Sequence, residues 1–189
     1  MFDLVVGLGN PGSEYALTRH NIAWLFLDYL KEINQNPWKS KFKGLYTEGS
    51  FQGHKFYALK PQTYMNLSGE SVQAMAAFFK IPPERILVIQ DEVDLPWGQV
   101  HFKMGGGFAG HNGLKSIGAC LGTDKYARLR IGIGRPTHGS MSNWVLGRFS
   151  QQELSELEII FEKLRTPFFE CLKSGVAKVG PYNKKNFLA

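Results

Sequence analysis

An apolar run from Leu4 to Leu8 breaks at Asn10-Pro11-Gly12, and helical spacing resumes only near Thr18 to His20. A strand that ends in a turn and feeds a helix is an α/β unit, and open α/β sheets bind ligands outside the carboxyl ends of their strands. This turn therefore places the Asn10 amide and the His20 imidazole where a ligand would sit. The same stretch matches the dinucleotide fingerprint G-x-G-x-x-G at Gly7, Gly9 and Gly12. That motif needs a helix opening at its second and third glycines, so that the helix N-terminus meets pyrophosphate. Here Asn10-Pro11-Gly12 reads as a turn. The periodic apolar positions Ile22, Leu25, Phe26, Tyr29, Leu30 and Ile33 mark a later helix. Asp28 and Glu32, at the distance of the fingerprint's ribose-binding acid, fall inside that helix rather than at a second strand end. Nicotinamide binding is disfavoured on these grounds.

The rest of the chain continues the alternation. Strand patterns cover Leu4–Leu8, Tyr46–Phe51, Lys55–Leu59, Ile86–Gln90, Val100–Lys103 and Arg128–Ile133. Gln52-Gly53 makes a hairpin of the second and third. Helical patterns cover His20–Ile33, Leu67–Lys80, Asn112–Leu121 and a long region from Gln151. Ser150 and Glu153 form a capping box for the last, and Pro167 should kink or divide it into two helices. The expectation is one α/β domain over residues 1–189, a three-layer α/β/α globule with a twisted mixed sheet. The basic tail Val179–Ala189, with a Gly-Pro pair, is expected to be loosely ordered.

Composition narrows the function. No apolar run approaches the ~20 residues needed to span a bilayer, and Met1-Phe2-Asp3 lacks the basic start of a signal peptide. The two cysteines, Cys120 and Cys171, form no C-x-x-C, which suggests a reducing compartment and no zinc ribbon. Lys plus Arg outnumber Asp plus Glu by 22 to 16, which is compatible with a polyanionic partner.

Four more segments place polar groups at strand ends or helix starts. Asn66, in Met65-Asn66-Leu67-Ser68-Gly69, is either an N-cap or an amide offered to a ligand's peptide groups. Asp91 follows the apolar run Ile86–Ile89 and could orient His20. Beside it, Glu92 reads as a solvated acid and Asp94 as a turn residue. Carboxylates near histidines raise a metal site, but no H-E-x-x-H, EF-hand or Cys/His spacing is present. The window from Gly105 to Gly113 holds five glycines, with Phe108, Ala109, His111 and Asn112 interleaved. It suits close approach to a ligand and a helix N-terminus offering N–H groups. Leu114 separates Gly113 from Lys115-Ser116, so the Walker pattern is not met. Asn112 is a cap candidate. In Arg128-Leu129-Arg130-Ile131 alternation puts both arginines on one strand face, a phosphate patch with Lys103 and Lys115 or a solvated face.

Together these segments resemble bacterial peptidyl-tRNA hydrolases. The resemblance rests on GLGNPG with Tyr15 and T-R-H-N, P-x-T-Y-M-N-L-S-G from Pro61, and D-E-V-D-L-P from Asp91. It continues through GGGFAGHNGLKS from Gly105 and R-L-R-I-G-I-G-R-P from Arg128. It implies hydrolysis of the ester between a peptide and the terminal ribose of tRNA. His20 would be the general base, Asp91 its hydrogen-bond partner, and Asn10 part of the catalytic set. Asn10, Asn66 and Asn112 would bind the peptide main chain, the scissile carbonyl region and the terminal adenosine. Tyr15, Met65 and His111 would line the cleft, and Lys103, Arg130 and Arg128 would meet tRNA phosphates. No cofactor, no metal, no membrane and no obligatory protein partner are implied, and the expectation is a cytoplasmic monomer acting on peptidyl-tRNA. Two departures stand out: Ala109 where glycine is usual, and His101 where lysine is common. The runner-up is an RNA-binding protein of the same fold without hydrolysis. A peptidase or phosphorylase-like enzyme is a third reading, disfavoured because no G-x-S-x-G elbow or C-x-x-C occurs.

Overall fold

The computed structural model describes residues 1–189. In chain order the strands are β1 (Leu4–Gly7), β2 (Lys39–Lys41), β3 (Gly44–Phe51), β4 (His54–Pro61), β5 (Ile86–Glu92), β6 (Val100–Met104) and β7 (Ala127–Gly132). The α-helices are α1 (Ile22–Tyr29), α2 (Ser68–Phe79), α3 (Asn112–Leu121), α4 (Met141–Val145) and α5 (Gln151–Ser174). One seven-stranded sheet has the order β2-β3-β4-β1-β5-β7-β6. β1 is fully buried and pairs in parallel with both β4 and β5. A continuous apolar run suits a strand covered on both faces. β7 runs parallel to β5, and antiparallel pairs complete each side. The expected mixed sheet is therefore present.

Two cores flank it. On one face Val5, Leu87 and Ile89 pack with Phe26 of α1 and Phe161, Leu164 and Phe168 of α5. On the other Leu4, Val6 and Val88 pack with Val72 and Met75 of α2 and Leu114 and Ile117 of α3. This is the three-layer α/β/α arrangement. α2 and α3 cross at Gly69, where a Cβ would lie 2.1 Å from the Ser116 carbonyl oxygen. The Gly69 N–H donates to Ser116 Oγ at 2.8 Å. No helix is long and apolar enough to cross a membrane.

Several boundaries differ from the sequence pattern. A 3-10 turn, Arg19–Asn21, precedes α1, which stops at Tyr29 rather than Ile33. The Asn34 side-chain amide donates to the Leu27 and Leu30 carbonyls, both at 2.8 Å, and so competes with further helix. Pro167 does not divide the last helix, which runs unbroken from Gln151 to Ser174. An interior proline costs about 3 kcal/mol, and here it lies buried in the apolar face of α5 beside Leu164, Phe168 and Phe169, whose packing offsets that cost. The short strand β2 is exposed and turns into β3 at Phe42-Lys43, with φ of 59° and 52°. That is hairpin-turn backbone without the Asn-Gly signal.

The tail is not loose. Val179 and Phe187 are buried. Asn183 brackets Phe102 of β6, accepting its N–H at 2.7 Å and donating to its carbonyl at 3.1 Å. Lys184 N–H donates to Val100. The tail thus covers the sheet edge that β6 would otherwise expose.

Candidate active site

The glycines of the first turn serve packing. Trp24 lies across them, and a Cβ at Gly9 would come within 2.6 Å of its ring. The indole N–H donates to the Gly7 carbonyl at 2.7 Å. Asn10, buried, is fixed from two sides. Its backbone N–H and carbonyl bond the Asn21 side chain, each at 2.9 Å. Its Oδ1 accepts the Met65 N–H at 2.7 Å. That last bond uses the amide oxygen and leaves Nδ2 with no partner in the chain.

His20 sits in the Arg19–Asn21 turn beside the end of β5. Its Nδ1 is 2.8 Å from Asp91 Oδ2, and His111 Nε2 is 2.9 Å from Asp91 Oδ1. The two rings are 5.2 Å apart. His111 is the N-cap of α3: its Nδ1 accepts from Gly113 and Leu114 N–H at 3.1 and 3.4 Å. An accepting Nδ1 places the His111 proton on Nε2, where it is donated to Asp91. His20 donates from Nδ1 to the other oxygen, and its Nε2 keeps a free lone pair. Burial pulls the His20 pKa down, but the Asp91 charge and hydrogen bond outweigh it, and the pKa stands above 6.5. Burial alone would raise Asp91, yet the two imidazoles hold it well below the usual carboxylate range.

A cavity of about 100 Å3 opens on these groups, lined by His20, Asp91, His111, Asn112, the Phe108–Gly110 loop, and Met141 and Val145 of α4. Asn112 is the first residue of α3, exposed, and is not its cap. Asn66 is exposed in the Met65–Leu67 3-10 turn, capped by neither its own side chain nor another. Both amides are therefore open to a ligand, and the capping readings fall away. Met65 is buried beneath the start of α3, where a Cβ on Gly113 would meet its sulfur at 2.6 Å. The start of α3 thus touches Met65, which bonds Asn10, and through His111 it touches Asp91, which bonds His20. Tyr15 is half-buried in its own 3-10 turn and does not line the cavity.

The basic patch departs from expectation in two places. Glu92 is not a solvated acid: it is 5% exposed and accepts from Arg130 Nε at 2.7 Å. Arg128 does not face solvent at all. It is 1% exposed and donates to the carbonyls of Gly106, Gly107 and Asp124. A guanidinium so spent cannot meet a phosphate, which corrects its placement in the patch. Lys103 and Arg130 remain half-buried at the surface. His101 accepts from Arg130 at 2.7 Å, and burial together with Arg130, Lys184 and Lys103 lowers its pKa. At neutral pH it therefore adds no charge where lysine is common.

The model of the Peptidyl-tRNA hydrolase family matches residues 4–187. The chain belongs to this family. It is 44% identical over 188 residues to the peptidyl-tRNA hydrolase of Geobacter sulfurreducens, covering 98% of this chain and 97% of that one. It is 48% identical over 161 residues to that of Desulfitobacterium hafniense, covering 85% and 87%. A crystal structure of peptidyl-tRNA hydrolase from Acinetobacter baumannii superposes with a TM-score of 0.86 at 35% identity, with 97% of each chain covered.

As a member of this family the chain also carries supports that no motif announced. Asn21, beside His20, holds Asn10. Arg19 lies 3.7 Å over the Trp144 ring and bonds Glu153 at 3.2 Å, tying the His20 turn to α4 and α5. The letters T-R-H-N were visible, but only tertiary contact tells that Arg19 and Asn21 are internal ties.

Proposed function

We propose that His20 is the general base of the family's reaction, hydrolysis of the ester joining a peptide to the tRNA of peptidyl-tRNA. The observation that carries this is the free Nε2 of an imidazole whose Nδ1 is held by a buried carboxylate. Such a base takes a proton from water as the water attacks the ester carbonyl, and the imidazolium gives it to the ribose oxygen as the ester C–O bond breaks. Asp91 fixes the tautomer and stabilises the imidazolium that forms. The ester is activated, so a base and aimed amide donors suffice without a covalent intermediate. Asn10 Nδ2, left without a partner when Oδ1 bonds Met65, and the open amide of Asn66 suit peptide groups of any sequence. Asn112 suits the terminal adenosine. His111 forms one wall of the cavity, and Met65 supports the start of α3 from beneath. The unit is one domain over residues 1–189, and it acts as a cytoplasmic monomer. The free thiols of Cys120 and Cys171 fit a reducing compartment.

Lys103 and Arg130 take tRNA phosphates without reading bases. Arg130→Ala is expected to weaken tRNA binding most at low salt and to reduce the slope of log affinity against log salt by about 1. Filter binding over a salt series checks this, and a salt-independent loss would contradict it.

The primary test is release of peptide from N-blocked aminoacyl-tRNA in the presence of EDTA, across pH. The protonated base is inactive and His20 is raised, so kcat/KM should rise with pH and level off above pH 6.5. Binding of tRNA without cleavage would favour the non-catalytic RNA-binding reading.

A further inference from the structure

The inward-facing Arg128 has contacts that define a role of another kind. We propose that Arg128 is a positioning residue: it holds the glycine-rich loop so that His111 keeps its grip on Asp91, and through Asp91 it sets the proton arrangement on His20. This rests on the reading of His20 as general base.

The Arg128 guanidinium is buried with no carboxylate partner. Its donors reach Gly107 at 2.6 Å, Gly106 at 2.7 Å and Asp124 at 3.2 Å. A buried cation without a counter-ion relies on its donors being bonded; both terminal nitrogens of Arg128 reach carbonyls and only Nε has no partner, and charge-assisted bonds of this kind are strong. They join the segment before α3 to the segment after it. The guanidinium also stacks 4.6 Å from Tyr126 and 5.2 Å from Phe108.

The loop has few other ties. Between the Gly105 N–H bond to Tyr126 and the His111 N–H bond to Phe108, its backbone amides make no bond within the chain. Gly105, Gly106, Ala109 and Gly110 all have positive φ. A segment this free in conformation is ordered by its anchors, and the Arg128 fork is the main one. The loop ends at His111, whose two nitrogens bind the start of α3 and Asp91. The path from Arg128 to the base therefore runs through the loop, His111 and Asp91.

This path has a signature that a purely scaffolding role lacks. The charged and titratable groups around His20 are Asp91, His111 and Glu92, while α4 contributes the apolar Met141 and Val145. If His111 withdraws, Asp91 gives its charge to His20 alone and His20 holds its proton more tightly. The acid limb of kcat/KM then moves to higher pH.

The experiment is the pH profile of peptide release by wild type, Arg128→Met, Arg128→Lys, His111→Ala and the Arg128→Met/His111→Ala double variant. Arg128→Met should lower kcat/KM on the order of tenfold and move the limb up by about half a pH unit or more. Arg128→Lys keeps the charge but not the fork and should move it in the same direction. Hydrogen exchange at the bonded amides of Gly105 and His111 should quicken in both. The double variant should show the His111→Ala limb with no further shift. The proposal is overturned if the limb stays in place in both Arg128 variants, or if the two shifts add. A wild type without any limb in the imidazole range would instead sink the general-base reading, and this inference with it. Should the methionine variant fail to fold, the lysine variant decides alone.

Discussion

Replacing His20 with alanine is expected to lower kcat by about 10²–10⁴-fold while tRNA affinity stays near the wild-type value. The loss follows from the only imidazole nitrogen of the site without a partner, His20 Nε2. The retained affinity follows from the rest of the geometry. In the variant Asp91 keeps the His111 hydrogen bond at 2.9 Å, so the buried carboxylate is not orphaned. Lys103 and Arg130 lie on β6 and β7 and are untouched. Single-turnover peptide release and filter binding to deacylated tRNA separate the two effects. A wild-type rate would remove His20 from the mechanism.

Asp91→Asn should be nearly as damaging, by about 10²–10³-fold, for a different reason. A carboxylate accepts from both imidazoles, whereas an amide offers one oxygen and one N–H₂. One histidine must then present an unprotonated nitrogen. His111 resists, because its Nδ1 already accepts from the Gly113 and Leu114 amides. His20 gives way, its proton moves to Nε2, and the base is lost. Asp91 also raises the His20 pKa through its charge. Without it, the acid limb of residual activity should move to lower pH, opposite to the shift expected for Arg128→Met. The pH profile of kcat/KM checks the sign, and an unchanged limb would show that Asp91 does not act on the base.

What was legible in the sequence were groups placed by chain-local rules. Asn10, His20, Asp91 and Asn112 follow apolar runs or open helices, so strand and helix patterns alone put them outside the carboxyl ends of the strands. The Ser150–Glu153 box was equally local, and both of its bonds are present. What was illegible depends on partners far along the chain. Arg128 and Arg130 share a strand face by alternation, yet one is swallowed by the loop before α3 and the other pairs with Glu92. Glu92 is a buried partner only because β7 lies beside β5. Pro167 survives mid-helix because its face is covered, and the polar tail is ordered because β6 offers it an unpaired edge. Short elements such as β2 and α4 carry too few residues to show a period.

The position of β1 has a consequence for synthesis. β1 precedes the Asn10 turn and the His20 turn, but it has no neighbours of its own age: Leu4 pairs with Tyr57 and Ile86. Asp91, Asn112 and Arg130 come later still. Such pairing between distant segments forms only after the intervening chain exists. While it is being made, this hydrolase is itself a peptide esterified to a tRNA, the very bond its family cleaves. A half-made sheet has no oriented histidine, so the chain gains its His20–Asp91 pair only once its middle strands meet.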